Sequence, residues 1–166
     1  MRRILAVMAF AALLAAAPLA AEGDASAKKA DPRVEEILKR LNLHYSVNSS
    51  GNVAVTYDTK DDRSQTVYVM SKTDKYNEVE IREIWSNAGT FEAEPDAEGL
   101  MDLMTESGKN KIGCWALEKL DDGKYLLFYT IKFPADSSDE AYRMILEFAS
   151  SVADARELAL FGNDEN

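Results

Sequence analysis

A chain of 166 residues, 46% hydrophobic and 29% charged, is of ordinary globular make-up, and its length suits one domain with one well-filled core. Its formal net charge of −10 argues against nucleic-acid binding and against docking on anionic membranes, since both need basic charge to displace counterions; it serves solubility instead. The single cysteine, Cys114, rules out an internal disulfide and a cysteine-rich zinc site.

The first 21 residues read as a secretory signal: Arg2 and Arg3 form the charged start, Ile4 to Leu14 the apolar run, and Ala-Pro-Leu-Ala-Ala the small-residue exit. The run is shorter than the ~20 apolar residues of a spanning helix, so cleavage is expected rather than anchoring. No cysteine follows it to carry a lipid. The mature protein is therefore expected to be periplasmic or secreted. Residues 22–30, small and polar, read as a flexible leader, residues 31–162 as a single domain, and residues 163–166 as a polar tail.

Asp31-Pro32 predicts a helix start, with Val34, Ile37, Leu38 and Leu41 at the spacing of one buried face and Asn42 as its end. Strands are predicted over His44–Val47 and Asn52–Tyr57, flanking a turn of Asn, Ser and Gly, then over Gln65–Met70 and Glu78–Ser86. Lys72–Asn77 reads as a turn and Asn87–Pro95 as a loop. Asp96 then caps a short helix carrying Leu100, Leu103 and Met104, which Gly108 stops.

The stretch from Lys111 to Phe161 organises the rest, as a β-hairpin running into one long helix. Its strands are Ile112–Glu118 and Tyr125–Phe133, with the turn at Asp122-Gly123. If those two residues form the loop, Leu117 faces Phe128, Ala116 faces Tyr129, Trp115 faces Thr130 and Cys114 faces Ile131. One face then holds Ile112, Cys114, Ala116, Leu127, Tyr129, Ile131 and Phe133, which predicts a buried, unreactive Cys114 beneath the long helix. The other holds Trp115, Leu117, Leu126 and Phe128 at one end, with Thr130 and Lys132 at the other, and reads as half covered. In the helix, Ser137 and Glu140 form a capping box, and Ala141, Met144, Ile145, Phe148, Ala149 and Val152 make the stripe expected to meet the first face. The order α-β-β-β-β-α-β-β-α, without βαβ alternation, predicts an α+β fold built on an antiparallel sheet.

No catalytic constellation emerges from these residues. His44, the only histidine, lies at a strand start with no motif around it, and reads as an ordinary structural or surface residue. The acid pairs Asp61-Asp62, Asp121-Asp122 and Asp164-Glu165 lack the spacing of a calcium loop, and there is no glycine-rich phosphate loop or dinucleotide fingerprint. Neither a cofactor nor a metal site is expected. Trp115, Leu117, Leu126 and Phe128 form the candidate partner-binding cluster, with coverage by the Asp96–Gly108 helix, through Met101 and Met104, as the alternative.

Gly113, Trp115 and Leu117, then Asp122-Gly123, then Leu126 and Phe128, followed by a long helix through Val152-Ala153-Asp154, resemble the YbjN-like family, named as bacterial sensory transduction regulators. The resemblance spans Asp31 to about Leu160 and rests on packing motifs. It implies the fold of the type III secretion chaperones and no catalytic residues. The expected function is thus an exported, non-enzymatic module binding a protein or peptide, in a regulatory or chaperone-like role, with itself as one candidate partner in a homodimer. A periplasmic carrier of a small apolar ligand is the second reading, and an enzyme using scattered carboxylates the third.

Overall fold

In the computed structural model, which describes residues 28–162, Asp31 caps helix α1 (Pro32–Arg40) by accepting the Arg33 N–H at 2.9 Å. The expected secretory signal, most of the leader and the polar tail lie outside the described residues. Ala30, at the end of the expected leader, is buried, and Lys28 and Lys29 lie against Gly51. Val34, Ile37 and Leu38 form the buried stripe of α1, and Asn42 leaves the helix in the left-handed conformation at φ 56°.

Seven antiparallel strands follow around two more helices: β1 (Ser46–Val47), β2 (Val53–Asp58), β3 (Ser64–Val69), β4 (Asp74–Tyr76), β5 (Val79–Phe91), α2 (Ala97–Lys109), β6 (Cys114–Lys119), β7 (Tyr125–Pro134) and α3 (Asp139–Phe161). The sheet order is β1-β2-β3-β5-β7-β6, with β4 paired to β5 beside that path. The α+β class and antiparallel sheet stand as predicted, with five strands before α2 where four are expected. The extra one, β4, arises inside the expected Lys72–Asn77 turn, because Asn77 takes φ 52° and folds Tyr76 back onto Val79.

Strand β5 also continues through Asn87–Phe91, expected as loop. Its register against β7 slips between Asn87 and Gly89, leaving Ala88 as the extra residue of a bulge, after which Gly89 pairs with Leu127 and Phe91 with Tyr125. The ring of Phe161, at the end of α3, lies over Gly89: a Cβ there would come within 2.1 Å of it. A glycine that reads as a strand breaker is thus the seat of a helix end.

One face of the sheet carries the core. Val53, Val55, Val67, Val69, Ile84, Leu127, Tyr129 and Ile131 pack beneath α1 and α3 in one cluster that also includes Leu103 and Trp115. The buried stripe of α3 is Tyr142, Ile145, Leu146, Ala149, Ser150, Ala153 and Glu157. Of the expected stripe, Ile145 and Ala149 are buried, Ala141, Phe148 and Val152 are half-buried, and Met144 is 57% exposed. Both stripes obey helical spacing, so the pattern alone could not choose between them. Tyr142 chooses: its hydroxyl donates to the Ala135 carbonyl at 3.1 Å and its ring meets Phe133 edge-on at 4.9 Å. The cap is Ser138, which accepts the Ala141 N–H, whereas the Ser137 hydroxyl turns back to the Pro134 carbonyl. Each large side chain buried here stabilises the fold by about 1.5 to 3 kcal/mol.

Polar pins fix the helices on the sheet. Arg82, on β5, is fully buried and donates to Asp31 at 2.6 Å and to the carbonyls of Met70 and Ser71, so the cap of α1 is tied to the sheet interior. Arg40 forks onto Asp139, joining α1 to α3, and Arg63 pairs with Asp154, joining the β2–β3 turn to α3.

Candidate functional site

The hairpin loop decides where the candidate residues go. Leu120 and Lys124 close it: the Gly123 N–H donates to the Leu120 carbonyl at 3.0 Å and the Leu120 N–H to the Lys124 carbonyl at 2.8 Å. Gly123 sits at φ +88°. The loop is therefore Asp121-Asp122-Gly123, a turn followed by a left-handed residue, one residue longer than the two-residue loop expected. Cys114 faces Thr130, Trp115 faces Tyr129, Ala116 faces Phe128 and Leu117 faces Leu127. Slippage by one residue turns every side chain of β6 to the opposite face, while β7 keeps its predicted faces.

The four candidate residues are thereby separated. Trp115 and Leu117 join Leu127 and Tyr129 on the helix-covered face, whereas Leu126 and Phe128 stand on the other. Trp115 is 9% exposed, with its ring edge-on to Tyr129 at 5.1 Å. Cys114, expected beneath the long helix, is exposed instead. Its thiol should label within minutes on native protein, at a rate that denaturant raises by less than about tenfold, because no packed structure has to open first. Labelling that waits for denaturant would contradict the register.

On the helix-covered side, α2 lies beside β6. Asp96 caps it as predicted, accepting the Gly99 N–H at 2.8 Å, and Leu103 is its buried residue. Met101 and Met104 are 62% and 70% exposed, so α2 does not cover the cluster through its methionines. The Ser107 hydroxyl donates to the Leu103 carbonyl and accepts the Trp115 N–H at 2.9 Å, fastening the helix to the strand. Between them runs a cleft of about 390 Å³ lined by Leu100, Leu103, Met104, Ser107, Leu127 and the four successive residues Cys114 to Leu117. Successive strand residues point to opposite faces, so a cleft that touches all four follows the edge of β6.

The opposite face of the sheet carries Leu126 and Phe128 beside a second cleft of about 250 Å³, shared with Met70, Glu83, Trp85 and Glu118. Tyr68 stacks on Trp85 at 4.4 Å, Phe128 meets Trp85 edge-on at 5.7 Å, and the Trp85 N–H donates to the Met70 sulfur. These rings spend their surfaces on one another. The row packs against itself, with Tyr68, Trp85 and Phe128 half-buried.

Ion pairs account for the lowered carboxyls among the described residues. Burial raises the Asp31 carboxyl, but hydrogen bonds from Arg33 and Arg82 outweigh it and hold the group well below the usual range. Arg33 pulls Glu80 down to about 2, and Arg40 lowers Asp139. Burial pushes Tyr57 up to about 12. His44 is exposed, Asp61 and Asp62 occupy an exposed turn, and Asp121 and Asp122 occupy the exposed hairpin loop. Among the described residues no three His, Cys, Asp or Glu side chains are grouped so as to hold a metal ion, and no helix is long and apolar enough to cross a membrane.

A comparison with protein families finds none that matches the chain, and a comparison with curated proteins likewise finds none. Of the cleft's lining, only Trp115 and Leu117 belong to the candidate cluster; the α2 residues, Cys114, Ala116 and Leu127 do not. For the β6 residues the local signal is the second aspartate before Gly123, which fits a three-residue loop as well as a two-residue one.

Proposed function

We propose that this chain is an exported, non-enzymatic module that binds a protein or peptide in the cleft between α2 and β6. The observation that carries the reading is the composition and course of that cleft. Leu100, Met104 and Leu117 form an apolar surface that stays accessible, Met104 at 70% exposure, along the edge strand of the sheet. Apolar grooves of this kind, rimmed by polar residues, mark interaction sites on otherwise well-packed proteins. The resemblance to the YbjN-like family, with its chaperone-like fold, supports a regulatory or chaperone-like role, and the apolar run behind Arg2 and Arg3 supports export. A small apolar ligand is the second reading, favoured by a volume of about 390 Å³, within the ~300 to 1,000 Å³ of small-molecule pockets.

Photo-crosslinking in the native host tests this. A photoreactive residue at position 104 should give one dominant adduct with a defined protein, recovered from the periplasm or medium, whereas the same probe at Tyr76, 74% exposed and remote from the cleft lining, should not. Equal labelling from both positions, or none from position 104, would overturn the reading. A native mass spectrum carrying a small extra mass, without a protein adduct, would move the assignment to the carrier.

A further inference from the structure

We infer, resting on the binding reading above, that the cleft takes its partner as an added β-strand: an extended segment with alternating apolar residues and basic residues beside them, paired to the open edge of β6. The sheet order places β6 at one end, with β7 as its single neighbour. Antiparallel pairing alternates, so residues whose backbone groups bond to β7 alternate with residues whose groups point off the sheet. The Leu120 N–H bonds inward to Lys124, and the Trp115 N–H bonds outward to Ser107. The outward set is therefore Trp115, Leu117 and Lys119. Ser107 occupies the first donor, and the N–H and C=O groups of Leu117 and Lys119 remain to pair with another strand.

The cleft supplies what such a strand needs on its side-chain faces. Leu100, Met104 and Leu117 would receive every second side chain, while Cys114 and Ala116 leave room on the other face. Natural sheets usually blunt an open edge with charge or cover it. Here α2 stands off by the width of the cleft instead, so the edge is shielded from indiscriminate pairing and open to a segment that fits between.

Charge specifies the partner further. From 92 to 106 the chain carries Glu92, Glu94, Asp96, Glu98, Asp102 and Glu106, with no lysine or arginine. Lys124 pairs with Glu92, Arg156 with Glu106, and Asp96 caps the helix, so Glu98 and Asp102 stand exposed on α2, on the face turned away from the cleft lining, and give the helix an acidic field around the cleft. They favour a basic segment. They also disfavour a second copy of this chain, which would bring the same acidic helix to the same edge.

The probe is the acetylated, amidated peptide Lys-Lys-Val-Thr-Val-Thr-Val-Lys-Lys, added to the folded protein. Amide exchange of Leu117 and Lys119 should slow by about tenfold or more at saturation, while that of β1, at the far edge, stays unchanged. N-methylation of alternate peptide amides, at the valines or at the threonines, should leave one version binding and weaken the other by about tenfold, because only one edge of the peptide faces β6. Glutamate in place of its lysines should weaken binding by a similar factor at low salt and less at high salt. Lys119→Pro removes one outward donor from an exposed edge residue; it should keep the circular dichroism spectrum and lose about tenfold in affinity. Peptide binding without protection of Leu117 and Lys119, or equal binding by both methylated versions, would overturn strand addition. So would a concentration-dependent dimer of the free protein that protects the same amides, which would make the occupant a second copy. A position-104 adduct in the host combined with no protection of β6 would leave the binding module standing and remove only its strand-addition mode.

Discussion

Replacing Trp115 with alanine is expected to cost about 3 to 5 kcal/mol, the largest single effect in this chain, and to lower the melting temperature by roughly 10 °C or more. The ring is 9% exposed, lies edge-on to Tyr129 at 5.1 Å, and belongs to the cluster beneath the helices, so its removal leaves a cavity that the rigid sheet cannot close. A surface anchor would behave oppositely, with stability unchanged and association lost. Trp115→Phe supplies the control. It keeps most of the packing and discards an indole N–H that is buried without a partner among the described residues, so its cost should stay within about 1.5 kcal/mol. Urea titration of the three proteins decides the matter; a loss below about 1 kcal/mol for alanine would return Trp115 to the surface.

Arg82→Met should cost about 3 kcal/mol, at the lower end of what breaking a buried pair costs, because Asp31 keeps Arg33 as a second partner. The loss comes from stranding what the guanidinium satisfies: the Asp31 carboxylate and the carbonyls of Met70 and Ser71. The pH dependence should change with it. The Asp31 carboxyl lies well below its ordinary value of 3.8 in the folded protein, so its contribution is fully present above about pH 4 and is lost as the pH falls through the lowered folded value. Glu80, drawn from 4.5 to about 2 chiefly by Arg33, acts in the same direction over the same range. In the variant, Asp31 loses one of the two arginines that hold it down and moves back toward its ordinary value. The fall in stability between about pH 4 and pH 2 should therefore be shallower than in the parent, as urea midpoints at several acid pH values would report. Equal slopes in the two proteins would show that Arg82 does not hold the carboxylate.

The contrast between these two residues follows the limits of local signals. Asp31-Pro32 with its 3, 4, 7 apolar spacing was enough for α1, Asp96 for the start of α2, and alternation with turn residues for most strands, because each of these signals acts within a few residues of chain. The absence of βαβ alternation likewise sufficed for the antiparallel α+β class. The faces of β7 were legible too, since Leu127, Tyr129, Ile131 and Phe133 are the larger apolar set and all four are buried.

Tertiary structure decided the rest. Asp121-Asp122-Gly123 is compatible with two loop lengths, and a difference of one residue exchanges Cys114 and Ala116 for Trp115 and Leu117 on the buried face. The face of α3 was ambiguous for the same kind of reason: two stripes share one period, and the contacts of Tyr142 with Ala135 and Phe133 select between them. Arg82, a charge within a strand, is satisfied in the interior only because Asp31, 51 residues earlier, meets it there. The cleft depends on strand order above all, because β6 offers free backbone groups only by being last in the sheet, and no stretch of sequence encodes which strand ends at an edge.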